Sequence, residues 1–142
     1  MGAGVTSAVQ AASAPTAKRE LLGAYVNPVG ANGRTLGLSR VTIPGGVLLP
    51  LHYHEGTQIA YVDAGILRYS VKSGHVRVMS GLASGSPKLV RTIGPGQSGN
   101  ITAGQWLVEQ PSTIHTAKGV TRVVVLLANL LRNGAPAATP VK

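Results

Sequence analysis

Apolar runs rich in Val, Leu and Ile alternate along the chain with short turns that contain Gly, Pro, Asn or Ser. β-Branched side chains suit a pleated surface, and helices tolerate neither Gly nor Pro in their interior, so the pattern predicts strands. We expect strands at roughly residues 20–26, 35–43, 47–53, 58–63, 66–72, 75–80, 88–93, 105–110 and 120–131, of which the last allows a split.

Two segments are less regular. Residues 81–104 are rich in Gly, Ser and Pro, which predicts a long excursion or a lid-like loop. The stretch LLANLLRN near the C-terminus allows a short helix. Elsewhere a strand and a turn recur every ~8–12 residues, which is typical of an all-β sandwich or closed barrel.

A length of 142 residues suits one domain with a hydrophobic core and is too short for two ordinary ones. We predict a β-barrel over residues 19–132, between a flexible Ala-, Ser- and Gly-rich segment over 1–18 and a flexible tail over 133–142. The piece AVQAASA resembles the small-residue side of an export-signal cleavage site, without the basic and apolar regions that should precede it. It is either the remnant of an export signal, which predicts a periplasmic or secreted protein, or a flexible tail or cloning remnant, which leaves the cytoplasm open.

Composition limits the partners and the metal ligands that can be expected. Thirteen Lys and Arg against four Asp and Glu give a formal charge of +9, which favours anionic ligands. The basic residues are scattered, apart from Lys18 and Arg19, and form no basic helix or aromatic–basic ladder, so no nucleic-acid partner is predicted. The longest apolar run, VVVLLANLL, falls short of the ~20 residues of a spanning helix, so no membrane span is predicted. Because cysteine is absent, any metal must be held by nitrogen and oxygen ligands.

Two of the four histidines form an HxH pair inside a spaced frame. His52 and His54 point to the same face of a strand, and neutral imidazole is the commonest metal-ligating side chain. Gly46 precedes His52 by five intervening residues, Gln58 follows His54 after three, and Gly65 follows after six more. This frame resembles the first motif of the cupin superfamily, which runs Gly, five residues, His-x-His, three or four residues, Glu, six residues, Gly.

The segment GQWLVEQPSTIH, from Gly104 to His115, resembles the second cupin motif. Its ends have the motif's spacing, whereas Gln110 stands at the proline position, Ser112 stands at the glycine position, and Pro111 lies one place late. The chain is therefore identified as a member of the cupins, small and single-domain. The resemblance implies an all-β fold, a double-stranded β-helix that forms a jelly-roll-like barrel.

The resemblance also implies one divalent transition metal, Fe, Mn, Ni, Cu or Zn, held by His52, His54 and His115, with Gln58 as the fourth ligand by position. An amide oxygen is neutral, so such a site keeps the full charge of the ion and favours an anionic co-ligand. The ligand set His, His, Gln, His is similar to that of cupins that act on uronate-type sugars, whereas many oxygenase cupins keep the glutamate.

Further residues near the motifs carry alternatives. Glu55 could ligate the metal, bond a histidine or cap the exposed turn, of which we favour the turn. Glu109 is a candidate general acid/base if it faces inward, and alternation does not settle its direction. The hydroxyl of Tyr53 is a candidate for substrate binding or catalysis at the barrel mouth. His75 lies in a turn and is predicted at the surface.

The sequence leaves two functions open. The first hypothesis is a metal-dependent enzyme acting on a small anionic molecule, with an oxygenase-type oxidoreductase such as a dioxygenase ahead of sugar-acid ring opening or isomerisation. The alternative is a non-catalytic cupin that binds a metal or ligand for sensing, storage or envelope association. Cupins commonly pair through edge strands, and the stretch VTRVVVLLANLL is apolar enough to need cover, so a homodimer is predicted.

Overall fold

A computed structural model describes residues 14–142. Within that range the chain forms strands and no helix, and therefore no helix long and apolar enough to cross a membrane. The strands are β1 (Lys18–Val26), β2 (Arg34–Ile43), β3 (Leu48–Tyr53), β4 (Thr57–Ala64), β5 (Ile66–Ser73), β6 (Val76–Ser80), β7 (Lys88–Ile93), β8 (Ser98–Thr102), β9 (Gln105–Glu109), β10 (Ile114–Gly119), β11 (Val123–Arg132) and β12 (Thr139–Pro140).

The strands build two antiparallel sheets. The larger has the order β1-β2-β11-β4-β9-β6-β7, and the smaller has the order β12-β3-β10-β5-β8. Strands distant in sequence are therefore neighbours in space, since β2 pairs with β11, β3 with β10, and β4 with β9. This interleaving of the two halves of the chain confirms the all-β, jelly-roll-like fold.

Alternate side chains of both sheets fill one core. On β11, for example, Val123, Val125 and Leu127 are buried, while the residues between them are less so. Each fully buried Val or Leu contributes about 1.5–3 kcal/mol relative to exposure. The buried hydrophobic core comprises Val41, Ile43, Ala60, Val62, Leu67, Tyr69, Val71, Val76, Val78, Ile93, Ile101, Leu107, Ala117, Val123, Val125 and Leu127.

The strand predictions were wrong in two regions. β8 lies inside the segment predicted as an excursion or lid, and β10 lies between the strands predicted at 105–110 and 120–131, where no strand was predicted. β8 has the sequence SGNIT, in which Ile101 is the one strongly apolar residue and is buried. A single apolar residue in five shows no period, so the pairing of β8 with β5 decides the strand.

The short helix allowed at LLANLLRN is also wrong, because residues 126–132 belong to β11 and Asn133 lies in the following turn. Leu127, Asn129 and Leu131 are buried, whereas Ala128 and Leu130 are exposed. Apolar residues stand on both faces of β11, so its sequence does not alternate between apolar and polar residues as a half-buried strand would.

Both ends of the described chain form strands that belong to the barrel. Residues 133–142, predicted as a flexible tail, contain β12, which pairs with β3, and the Val141 amide donates to the Leu51 carbonyl at 3.0 Å. At the other end, Lys18 already belongs to β1. Most of the predicted N-terminal segment, including nearly all of AVQAASA, lies outside the described residues.

Two glycines of the first motif have the same left-handed backbone in different surroundings. Gly46 and Gly65 both have φ of 83°. A Cβ atom at Gly65 would clash with the carbonyl oxygen of Arg122, whereas a Cβ atom at Gly46 would meet nothing within 4 Å. Both positions favour glycine for backbone reasons, and Gly65 also requires it for close packing.

We expect Gly46→Ala to lower the free energy of unfolding by about 1–2 kcal/mol, because an L-residue is strained at this φ. Gly65→Ala should lose a further ~1–3 kcal/mol, because the β4–β5 turn must move away from Arg122. Urea unfolding followed by Trp106 fluorescence measures both variants. Equal losses would contradict the packing role of Gly65.

Candidate metal centre

Three histidines meet at one end of the barrel. His52 lies on β3, His54 follows the end of that strand, and His115 on β10 stands opposite His52 in the antiparallel register. All three side chains are buried, and each offers a ring nitrogen within 4.8 Å of the others. The i, i+2 spacing and the β3–β10 pairing together place the three imidazoles on one inward face.

The opposite ring nitrogens of these histidines face backbone carbonyls. The Nδ1 atom of His52 lies 2.7 Å from the Pro50 oxygen, and that of His54 lies 2.7 Å from the Ala137 oxygen. A carbonyl oxygen only accepts, so Nδ1–H donates in each pair and the neutral ring keeps its lone pair on Nε2. His115 Nδ1 makes a longer contact of 3.4 Å with Thr113. This donor set fits a transition metal, because metal-ligating histidines commonly donate their second nitrogen in this way.

A buried row of polar side chains runs beside the histidines. Asn129, Gln58 and Glu109 stand opposite one another on β11, β4 and β9. Asn129 Nδ2 donates to Gln58 Oε1 at 3.1 Å, and Gln58 Nε2 donates to Glu109 Oε1 at 2.9 Å. Gln58 Nε2 also lies 3.3 Å from His54 Nε2, so the nitrogen of this amide faces the histidine cluster.

Glu109 is the acidic member of the group, and its side chain faces inward. Its Oε2 atom lies 2.7 Å from His115 Nε2 and 3.7 Å from His54 Nε2, and it accepts a hydrogen bond of 2.9 Å from the Tyr69 hydroxyl. The phenol of Tyr69 stacks on the His115 ring at 4.7 Å. The sequence left the direction of the Glu109 side chain open, because a turn follows it. In the structure β9 ends at Glu109, so Glu109 still belongs to the strand and faces inward like Leu107, two residues earlier.

Solved structures share this architecture. A cupin superfamily protein from Desulfitobacterium hafniense matches 84% of this chain and 83% of its own, with a TM-score of 0.56 and 12% sequence identity. KdgF from Halomonas sp. matches 82% and 80%, with a TM-score of 0.54 and 18% identity. The chain has the cupin fold. A variant of salicylate 1,2-dioxygenase from Pseudoaminobacter salicylatoxidans, in complex with gentisate, matches 82% of this chain and 25% of its own, with a TM-score of 0.52 and 13% identity.

The likeness is one of structure. No protein-family model matches the sequence, and no curated protein matches it either. At identities of 12–18% the comparisons establish the cupin fold predicted from the two motifs. The chemistry of this protein therefore depends on its own residues.

Burial and neighbouring charges shift the pKa values of the cluster. Burial, together with the charge of His115, lowers the pKa of His52 to about 4. Burial alone would raise the pKa of Glu109, but hydrogen bonds from His115 and Gln58 and the charges of His115 and His54 outweigh it and lower the pKa to about 2. Burial and the adjacent Glu109 raise the pKa of Tyr69, so its hydroxyl keeps its proton as a donor.

The cluster opens into a small internal cavity of about 50 Å³. Apolar residues such as Ile43, Leu67 and Ile101 form most of its wall, and Arg19 reaches it from β1. Outside it, a groove of about 290 Å³ is lined by Lys18, Arg19 and His52, among others. Arg19 and His52 line both spaces, so they stand where the groove meets the cavity.

Other residues singled out from the sequence lie away from the cluster. Tyr53 follows His52 on β3 and so faces the other side of the sheet, and it does not line the cavity. Glu55 lies at the turn after His54, where it pairs with Arg34 at 2.7 Å and accepts a hydrogen bond of 2.6 Å from the Arg132 amide. The Arg132 amide, aided by Arg34, lowers the pKa of Glu55. His75 is exposed in a turn.

Sequence reasoning missed Arg19, Tyr69 and Asn129 as parts of the site. A signal for Asn129 was present, because it is the one polar residue in the run VVVLLANLL and has the register of inward-facing Leu127. Tyr69 alternates with the buried residues of β5 in the same way. For Arg19 no signal existed, because β1 is exposed along almost its whole length.

Stability of the protein should depend on pH through His52, measured with a chelator present so that protons alone compete for the ring. The pKa of His52 is about 4 in the folded protein against an ordinary value of 6.5. Between these values the unfolded chain binds a proton that the folded protein does not, so stability falls as the pH drops from 6.5 to 4. His52→Gln should flatten this part of a urea-unfolding profile. His75→Gln, at an exposed histidine, is the control and should keep the wild-type slope; an unchanged slope in both variants would contradict the expectation.

Proposed function

We propose that this cupin binds one divalent transition metal through His52, His54 and His115. The observation that carries the proposal is the convergence of one ring nitrogen from each of the three, together with the donation of the Nδ1 protons of His52 and His54 to backbone carbonyls. A metal needs unprotonated ligand nitrogens, and these hydrogen bonds prepare them. Fe, Mn, Ni, Cu and Zn all accept imidazole together with oxygen ligands, so the donor set does not select among them.

We further infer that the ligand or substrate is a small anion. The groove that meets the cavity carries Lys18 and Arg19, and the whole chain has a formal charge of +9. A guanidinium holds a carboxylate with paired hydrogen bonds, so Arg19 would hold the anionic group at the mouth. The cavity of about 50 Å³ has room for only a few water molecules, so one end of such a molecule would reach the histidines.

Oxygenase-type oxidoreductase chemistry is the first candidate reaction, and ring opening or isomerisation of a sugar acid is the second. A bound ion would supply a Lewis acid and, if redox-active, a centre for dioxygen chemistry. The chain itself supplies Glu109, a buried carboxylate placed to accept or return a proton inside the cavity, and Tyr69, which orients it. The fold shared with salicylate 1,2-dioxygenase supports the first reaction by analogy alone.

A non-catalytic cupin that binds a metal or ligand, for sensing, storage or envelope association, is the second candidate function. The small, mostly apolar cavity favours it, because pockets for larger ligands usually enclose ~300–1,000 Å³. If metal-loaded protein binds small aromatic or sugar acids but converts none of them, this result would favour the non-catalytic function.

Protein purified without a metal-affinity tag should hold about one ion of Fe, Mn, Ni, Cu or Zn per chain. Zn²⁺ at roughly a hundred times its Kd should raise the free energy of unfolding by about 2.7 kcal/mol, or the Tm by about 10 °C. His54→Ala should lose this rise and the exposed-site control His75→Ala should keep it. Elemental analysis and thermal unfolding measure both effects. Substoichiometric content of every metal, with no fall in Tm on chelation, would refute the metal proposal.

We also propose a homodimer that forms through the outer apolar face of the larger sheet. This face contains Tyr25, Leu36, Leu38, Ile59 and Leu130, which are 37–66% exposed. Cross-strand pairing sets them in two rows, with Tyr25 opposite Leu36 and Leu36 opposite Leu130 in one of them. Contiguous apolar patches of this kind mark association surfaces more often than free surface.

Size-exclusion chromatography with light scattering at micromolar concentration should give the mass of a dimer. Leu38→Lys should reduce it to that of a monomer, because a charge would be buried in the contact. Leu82→Lys, at an exposed position outside the strands, should leave the dimer intact. A monomeric wild-type protein would contradict the proposal.

A further inference from the structure

The carboxylate that the first cupin motif would place at position 58 is found on the neighbouring strand. Position 58 holds glutamine, and the residue directly opposite it on β9 is Glu109. The two side chains are joined by a hydrogen bond of 2.9 Å and are among the most buried polar groups of the described chain, at 1% and 3% exposure. The sheet therefore has an amide at the position where the motif expects a carboxylate, and it has the carboxylate at the adjacent position on β9.

The orientation of Gln58 follows from its two partners. A carboxylate only accepts, so the atom of Gln58 that faces Glu109 must be the amide nitrogen. Its oxygen points away from the histidines and accepts a hydrogen bond from Asn129. The one atom of Gln58 that is able to ligate a metal is thus held on the far side of the amide.

Glu109 lies where a ligand atom belongs. Neighbouring ligand atoms that each lie about 2.0–2.2 Å from one ion are separated by roughly 3–3.5 Å. The Oε2 atom of Glu109 lies 2.7 Å from His115 Nε2 and 3.7 Å from His54 Nε2, on either side of this value. No buried side-chain nitrogen or oxygen of the described residues lacks a hydrogen-bond partner, so the carboxylate is held in this position by a complete network.

Charge supports the same assignment. Three imidazoles and an amide leave the full charge of a divalent ion inside an apolar barrel, in a chain that is already strongly basic. Replacing the amide with a carboxylate cancels half of that charge at the position where burial makes it most costly. Glu109 is the acidic residue present in the cavity lining.

We propose that Glu109, supplied by β9, is the carboxylate ligand of the metal centre, a role that replaces proton transfer once an ion is bound, and that Gln58 is a positioning residue that aims it. The inference rests on the proposed metal binding and adds the identity of the fourth ligand. Asn129 fixes the amide of Gln58, and Tyr69 holds the oxygen of Glu109 from the opposite sheet.

The test measures the Kd for Zn²⁺ by chelator competition in wild-type protein and matched variants. Glu109→Gln should weaken binding by about 100-fold or more, because it removes a charged ligand while keeping the shape of the side chain. Gln58→Ala should weaken it by about 10-fold, the lower end of the range for partners that orient a ligand. Glu55→Gln, at a glutamate beside the HxH pair that faces Arg34, should leave the Kd unchanged.

The reciprocal variant Gln58→Glu/Glu109→Gln exchanges the two groups and keeps their hydrogen bond. Its Zn²⁺ Kd should return to within about 10-fold of wild type, because the carboxylate then reaches the same histidines from β4. A Kd for Glu109→Gln equal to wild type, with binding abolished in Gln58→Ala, would overturn the inference while leaving the metal proposal intact. A wild-type protein that binds no Zn²⁺ would overturn both.

A measurement on the wild-type chain covers the case in which Glu109→Gln fails to fold. The protein contains only three glutamates, so ¹³C labelling of the glutamate side-chain carboxyl carbon gives three NMR signals. The surface variants Glu20→Gln and Glu55→Gln assign the signal of Glu109 by elimination. Addition of one equivalent of Zn²⁺ should shift that signal more than the other two. An unmoved Glu109 signal in metal-loaded protein would overturn the inference.

Discussion

The antiparallel register between β3 and β10 is the constraint on which the site depends, because it sets His115 opposite His52. A slip of one residue would turn one of the two histidines to the opposite face of the sheet. At the far end of the same pair of strands, Gly46 donates to the Gly119 carbonyl at 2.7 Å, and Gly119 donates to the Val47 carbonyl at 3.1 Å. These bonds hold the far end of the pair, beyond an irregularity in register between His115 and Ala117, and β5 holds β10 from its other side.

The candidate site also depends on the buried carboxylate of Glu109, which neighbouring side chains of both sheets stabilise. An unpaired charge inside the barrel would cost several kcal/mol, so Glu109 is tolerated only because Gln58, Tyr69 and His115 all contact it. The row from Asn129 to Glu109 crosses three strands of the larger sheet, while Tyr69 and His115 belong to the smaller one. The site thus joins both sheets, and its geometry is set by the packing of one sheet on the other.

Opposite charges are separated between the inside and the mouth of this barrel. The chain carries a formal charge of +9, with Lys18 and Arg19 along the outer groove, whereas Glu109 places a negative charge beside the histidines. A cation is therefore stabilised locally in a protein whose overall field attracts anions. This arrangement suits a centre where a metal ion and an anionic molecule meet.

The sequence by itself determined the all-β class, most of the strands and the three histidines, because these depend on local alternation and on the spacing of residues within single strands. It could not show the direction of Glu109, the role of Tyr69 and Asn129, or the strands β8 and β10. Those depend on which strands become neighbours, and strands as distant in sequence as β4 and β9 or β4 and β11 leave no trace of their pairing in local periodicity. Tertiary structure alone decided that the glutamine of the first motif faces a glutamate across the sheet, because only backbone pairing sets one residue opposite another.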